Sequence, residues 1–479
     1  MQMRSRILKG GAAATLLCSG FAYGQGADVV AGRLTGPARF GTIDGVTAYA
    51  IGTDSCNVGN VNLQWISSTN RHPVIGQSMF RLKDGRFEQI GLGWLKHGFF
   101  AINNSGLCGL TCTPSGTGAA LGPGCWDPYG ASLNGSQSGL GPRFEVNPTT
   151  GAFPYPFTAQ GSTGNVLFKR IQVANADIQP SLNVGALYFG EGQYVAPDDA
   201  EAGNNNNNAS YRRMTVGSFQ NGGYNLSFTG STEIGAPAIQ AWQDFDPDVT
   251  LISIDVREDG RYWVGYKVTD NGDGTWSYEY AVQNLNSDIA GGSFSIPIGA
   301  GAIISNIGFK DIDYHSGEPY DNTDWTGQVE GGAVVWRSPQ TFAQNPNSNA
   351  LRWGTLYNFR FVANRPPESV TGVLGHFKPH PFQESEFPAL GPIGANCPAD
   401  INTATAGNPA APGWGVPDGQ VTPADFTAFV SFFQSGDLRA DLNTATAGNP
   451  SAPGWGVPDG ILSPADFTAF VVFYQEGCD

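Results

Sequence analysis

The chain has 479 residues and a formal net charge of −16, with Lys plus Arg numbering only 25. That balance argues against nucleic acid or an anionic membrane as a partner and suits divalent cations. With 66 Gly and 12% aromatic residues, the composition reads as β-rich with many turns, and the length allows more than one domain.

At the N-terminus Arg4, Arg6 and Lys9 precede a small and apolar stretch, Gly10 to Phe21, and then Ala22-Tyr23-Gly24. A charged start, an apolar segment too short to cross a bilayer and a small-x-small site predict a signal peptide over 1–24. Leu17 precedes Cys18 where a lipid anchor would want a small residue, so no such anchor is expected. No later apolar run is long enough for a transmembrane segment. The protein is expected to be secreted, extracellular or held at a cell surface.

Export predicts disulfides among the six cysteines left after Cys18. Cys56, Cys108, Cys112 and Cys125 cluster early and allow three pairings. A four-thiolate zinc site is disfavoured, because only Cys108 and Cys112 are closely spaced. Cys397 and Cys478 bracket the C-terminal part and are expected to pair with each other.

Residues 25–381 carry mostly strand signals. Met79–Leu82 and Phe87–Ile90 flank Asp84-Gly85 as a hairpin. Helix signals are confined to Pro197–Ala202 and Ala236–Trp242. Asn204–Asn208 is expected to be an exposed loop tip. Tyr262, Val264, Tyr266 and Val268 alternate before Asp270-Asn-Gly-Asp-Gly274, and Trp276, Tyr278, Tyr280 and Val282 alternate after it, which predicts a second hairpin. Further strands are expected at Val249–Val256, Ser293–Ile298, Ala302–Phe309, Ala333–Trp336, Leu351–Val362 and Ser369–Phe377. Many short strands separated by turns indicate a large β-sandwich-like region of one or two domains, with an internal boundary near 230–248. Residues 382–396 read as a linker, from their prolines and polar residues.

Catalytic motifs are scarce. Gly135-Ser-Gln-Ser-Gly139 has Gln137 where a nucleophile elbow needs its serine. No metalloprotease His pair and no phosphate-binding glycine loop with lysine is present. Lys310–Trp325 does gather Asp311, Asp313, His315, Glu318, Asp321, Asp324 and Trp325 in one loop. Carboxylates can act as acid and base or bind calcium, and aromatics can stack on sugars. Asp311, Asp313, Glu318 and the distant Glu191 are therefore the carboxylates to weigh for catalysis, with no assignment made. His315, Asp321, Asp324 and Trp325 are candidate binding residues. His97 is expected to be structural.

The C-terminal 83 residues, 397–479, hold a repeat that starts at Asp400 and again, 41 residues on, at Asp441. A calcium loop needs oxygen ligands on a tight turn, a glycine at the bend and a closing carboxylate at a helix start. Asp400, Asn402 and Asp418 supply oxygens, Gly419 the bend, Gln420 a backbone carbonyl and Asp425 the closure. Asp441, Asn443, Asp459, Gly460, Ile461 and Asp466 repeat the set, so two calcium ions are expected. Phe426, Phe429, Val430 and Phe433, and their copies Phe467, Phe470, Val471 and Tyr474, recur at helical spacing. Asp-x-Asn followed by Asp-Gly-x-[Val/Leu]-x-x-x-Asp-Phe, duplicated, resembles a dockerin domain. The opening Cys397-Pro-Ala-Asp400 and the closing Gly477-Cys478 are similar to the cysteine-flanked form found in planctomycete-type secreted proteins. The 15 residues Thr403–Pro417 depart from that pattern. They place an excursion bearing Trp414 between ligands, closed at small entropic cost, with Trp414 and Trp455 expected over the helices.

The resemblance implies a cohesin-like protein partner. The expected function is a non-catalytic binding or surface-associated protein contacting polysaccharide or a cell-surface component. The alternatives are a polysaccharide-degrading glycoside hydrolase and a structural matrix protein.

Overall fold

The computed structural model describes residues 25–479 except 300, 315, 316, 394–396, 419, 478 and 479. The expected signal segment, 1–24, lies outside the described residues.

Val29–Ile43 and Val46–Asn57 form a long antiparallel hairpin. Its turn residues Asp44 and Gly45 are both at positive φ, the conformation that a tight hairpin turn demands. Trp126–Tyr129 and Ile171–Ala174 extend the hairpin to a four-stranded sheet. A seven-stranded sheet runs Gly223–Glu233, Ala209–Gln220, Leu187–Val195, Val74–Lys83, Leu95–His97 and Leu140–Gly141, with Arg86–Leu92 also paired to Val74–Lys83. Tyr49 and Ile51 from the first sheet share a core with Ile75, Met79, Tyr194 and Met214 from the second. Glycines let the two sheets approach. A Cβ on Gly190 would stand 2.8 Å from Ile51 Cδ1, and one on Gly192 2.7 Å from Thr53 Cγ2.

Residues 98–125 carry little regular structure, and two disulfides fasten them. Cys56 pairs with Cys108 and Cys112 with Cys125, which settles the pairing that the sequence left open. Cys397 is also disulfide-bonded; Cys478, its expected partner, lies outside the described residues.

A second pair of sheets follows. Thr250–Asp255, Arg261–Asp270, Trp276–Asn284, Leu356–Ala363 and Ile304–Lys310 form one. Thr326–Glu330, Ala333–Arg337, Gly291–Pro297, Glu368–His376 and Glu384–Gly391 form the other. The hairpin expected at 262–282 is present, with Tyr266 opposite Tyr280. Phe294 joins the two sheets, stacking on Phe359 at 4.3 Å and on Phe387 at 5.5 Å between ring centres. Phe387 lies in the stretch expected as a linker. Residues 382–396 are instead strand over Glu384–Gly391, paired along its length with Glu368–His376. Pro388 is tolerated because this strand is the border of its sheet, where a missing N–H breaks no ladder.

Strands of the first sheet pair end at Glu233 and those of the second begin at Thr250. The helix Gln240–Phe245 lies between. Its Trp242 is fully buried among Phe80, Phe87 and Phe189 of the first half and Ala281 and Leu356 of the second. Polar contacts reinforce the junction. Asn358 Nδ2 donates to the Phe87 carbonyl at 2.8 Å, and Gln89 accepts from Leu356 N–H at 2.9 Å. The asparagine run beside it is not the exposed tip that its composition predicts. Asn204 donates to the Gln25 and Ala27 carbonyls, Asn205 to the Thr149 carbonyl, Asn207 to Asp28 and Asn208 to Asp199. Donors at four of its five asparagines turn a low-complexity stretch into a brace, with Asn208 buried.

The C-terminal part is a small helical region with its own core. The helices Pro423–Ser435 and Pro464–Glu476 each begin at a capping box, Thr422 with Asp425 and Ser463 with Asp466, and each has proline in the first turn. Phe429 and Phe470 stack across the pair at 4.0 Å and 9°. Trp414 lies 5.8 Å from Phe432 and Trp455 5.8 Å from Phe473, so each excursion covers its helix.

Candidate functional sites

Asp400, Asn402 and Asp425 are buried in the first repeat, and Asp441, Asn443 and Asp466 in the second. Asp425 Oδ1 accepts the N–H groups of Ile401 and Asn402 at 2.9 and 2.8 Å, and Oδ2 accepts that of Thr422 at 2.7 Å. Asp418 Oδ2 accepts Ala404 N–H at 2.7 Å, which closes the inserted excursion. Its own N–H donates to Asp400 Oδ1 at 3.0 Å, and Asn402 Oδ1 accepts Gly415 N–H at 2.9 Å. The second repeat matches: Asp466 takes Leu442, Asn443 and Ser463, Asp459 takes Ala445, and Asn443 takes Gly456. Burial lifts the Asp441 carboxyl above its ordinary value, and the Asp466 and Asp459 charges add to the lift against the bonds from Gly460 and Asp459 N–H. Gln420 and Ile461, the expected carbonyl donors, are exposed. Gly419 lies outside the described residues.

An all-oxygen set of three carboxylates and an amide per repeat fits a hard cation in donor type. The closing aspartates, however, give their oxygens to loop and cap amides, a role the sequence did not indicate. Among the described residues no group of three or more His, Cys, Asp or Glu side chains is spaced to hold a metal ion.

The acidic loop does not form a shared carboxylate cleft. Asp311 Oδ2 accepts Asn349 Nδ2 at 2.6 Å, and burial pushes its carboxyl up to about 6. Glu318 accepts the N–H groups of Arg143 and Phe144 at 2.6 and 3.2 Å, and burial raises it to about 7. Asp313 and Asp324 are exposed, and Asp321 folds back onto Thr323 N–H at 2.7 Å. His315 lies outside the described residues. Trp325 is 2% exposed, lies parallel to Phe309 at 5.7 Å, and donates Nε1 to the Asn349 carbonyl at 2.8 Å. It is therefore a core residue and not a binding surface, because its ring closes the aromatic core of the second sandwich. Glu191 is buried, accepting Ala238 N–H at 2.6 Å and Gln283 Nε2 at 2.7 Å. It ties Leu187–Val195 to the segment between the two sheet pairs, through Ala238, and to Trp276–Asn284, through Gln283.

His97 belongs to a buried relay. The Ile66 carbonyl accepts from His72 Nδ1 at 3.2 Å, and His72 Nε2 lies 3.0 Å from His97 Nδ1. Burial favours the neutral form of both rings, and in that form His72 Nδ1 donates, its Nε2 accepts and His97 Nδ1 donates. His97 Nε2 is buried without a hydrogen-bond partner, and its ring stacks on Phe157 at 3.7 Å. Burial, then the neighbouring ring and Lys96, hold His97 well below the usual imidazole range; burial does the same to His72. A base whose folded pKa is depressed loses stability as pH falls below its unfolded value, since the unfolded chain alone takes up the proton. Lowering the pH from 6.5 to 5 therefore costs roughly 2 kcal/mol for one such histidine. Asp127, Asp199 and Glu318, raised by burial to about 7, act oppositely, because the folded state takes up their protons first as pH falls. In urea unfolding at both pH values, the stability of His97→Phe relative to the wild type is expected to improve by that amount on acidification. A constant difference would show that the ring takes up its proton equally in the folded and unfolded chain.

One cleft went unmarked in the sequence. Tyr211, Arg213, Ser231, Glu233, Asp244 and Phe245 line an open space of about 440 Å³. They come from two strands and a helix, so no local motif joins them.

No protein-family model matches the chain, and no curated protein matches it. A solved structure of a serine-rich repeat adhesion glycoprotein from Streptococcus agalactiae aligns with 76% of this chain and 94% of its own, at 8% identity and a TM-score of 0.19. A likeness of that size carries no argument about fold or function.

Proposed function

We propose that this is a secreted, non-catalytic binding or surface-associated protein. Its β-sandwich part contacts polysaccharide or a cell-surface component. Its C-terminal helical region, a calcium-dependent dockerin-like domain, attaches it to a cohesin-like protein partner. The observation that carries the non-catalytic reading is the commitment of Asp311, Glu318 and Glu191 to internal hydrogen bonds. A general acid or base must reach the substrate, and these carboxylates face backbone amides and side-chain amides instead. Screening the chain on a polysaccharide panel for binding and for sugar release tests this. Binding without release is expected; release of sugar overturns it.

The calcium reading is supported by two buried carboxylates and one exposed one in each repeat, Asp400 and Asp425 with Asp418, and Asp441 and Asp466 with Asp459; at Asp441 the neighbouring negative charges raise the carboxyl, a repulsion that a divalent cation would relieve. Calcium at 100 times its dissociation constant is expected to stabilise the C-terminal region by about 2.7 kcal/mol per site. Calorimetry of the full chain should show its transition moving upward with calcium. Asp425→Asn with Asp466→Asn keeps a cap acceptor but should remove most of that shift. A wild-type transition that ignores calcium would defeat the reading.

A further inference from the structure

The geometry points to the cleft between Ala209–Gln220, Gly223–Glu233 and the helix Gln240–Phe245 as the seat of a short stretch of neutral polysaccharide. This inference rests on the polysaccharide reading above and gives it a location. The volume, about 440 Å³, lies within the range of roughly 300–1,000 Å³ usual for small-molecule sites. Phe245 brings an aromatic ring to its lining. Phe245 is 41% exposed, yet its ring is held from behind by Phe189 at 5.3 Å. The Arg213 guanidinium stands over the ring, 5.5 Å from its centre, so a sugar meets the ring beside or in place of that cation.

The walls choose the ligand class. Tyr211, buried, donates its hydroxyl to Asp244, and burial keeps that phenol protonated. Asp244, exposed and held by that bond, is therefore a positioned acceptor. Glu233 adds a second acceptor, while Arg213 and Ser231 add donors. Two carboxylates against one guanidinium repel an anionic ligand such as a nucleotide or a phosphosugar. An apolar ligand would strip water from three charges without returning hydrogen bonds. A neutral polyol both donates and accepts, and the C–H face of its ring matches the Phe245 ring. The cleft is also open at the border of its sheet, since Gly223–Glu233 is the edge strand. An internal stretch of a polymer can cross such a groove, where a closed pocket would admit only chain ends.

The test is calorimetric titration of the full chain with cellohexaose, xylohexaose, mannohexaose and chitohexaose. At least one is expected to bind, and Phe245→Ala should weaken it about tenfold, equivalent to about 1.4 kcal/mol. Asp244→Asn should weaken it less, and both variants should keep the wild-type melting profile within a few degrees. Binding that both variants retain unchanged overturns this site while leaving the polysaccharide reading standing. Binding only to insoluble polysaccharide, and to none of the four hexasaccharides, also overturns the site alone. An intact chain that binds none of these sugars in any form overturns both.

Discussion

Trp242→Ala is expected to cost about 3–5 kcal/mol, the range for truncating a large buried aromatic. The residue is fully buried, and its contacts come from both sheet pairs at once. Its Nε1 donates to the carbonyl of the half-buried Gly85 at 3.1 Å, a bond that removal also breaks. The site cannot collapse easily: Gly265 already approaches the ring so closely that a Cβ there would lie 2.8 Å from Trp242 Cε3. Because the ring fills the seam, its loss should also separate the two halves as cooperative units. Urea unfolding followed by fluorescence and by circular dichroism should then give transitions that no longer coincide. A loss below about 1 kcal/mol with coincident transitions would show that the polar contacts Asn358–Phe87 and Gln89–Leu356 hold the seam unaided.

Removing the Cys56–Cys108 bridge by paired substitution to alanine is expected to cost about 4 kcal/mol, from the loop-closure entropy of a 52-residue separation. The Cys112–Cys125 bridge spans 13 residues and should cost about 3 kcal/mol. The two loops follow one another along the chain without interleaving, so the two losses should add within about 0.5 kcal/mol. Both fasten a stretch with little ladder hydrogen bonding, where the folded state has few other means of ordering the chain. Equilibrium unfolding of the three variants measures this. A larger loss for the shorter loop would mean that native contacts around Cys112 and Cys125, and not chain entropy, set the contribution.

Some of this architecture was legible before any coordinates. The hairpin at 262–282 announced itself because its buried residues alternate with half-exposed ones, Tyr262, Val264 and Tyr266 inward. Val46–Asn57 did not, because nearly every position from Ala48 to Asn57 is buried and the period of two vanishes. Glu384–Gly391 was hidden by Pro388, a residue that excludes a central strand but not a border one. Composition predicts exposure for the asparagine run because it reports what a side chain prefers on average, whereas here Asn204, Asn205, Asn207 and Asn208 each donate to a specific carbonyl or carboxylate. At the C-terminus the repeat and its helices were plain from spacing. The use of Asp425 and Asp466 as caps was not, since one residue type serves both a metal and a helix start. The cleft around Phe245 depends on three segments meeting, which only the fold brings about.

The border strand Glu384–Gly391 has a further consequence. Glu384, Glu386 and Pro388 occupy its outward positions in alternation. A strand from another molecule docking along this rim would meet two carboxylates and, at Pro388, find no amide to donate. The residues that disguise the strand in the sequence thus also guard the second sandwich against edge-to-edge aggregation.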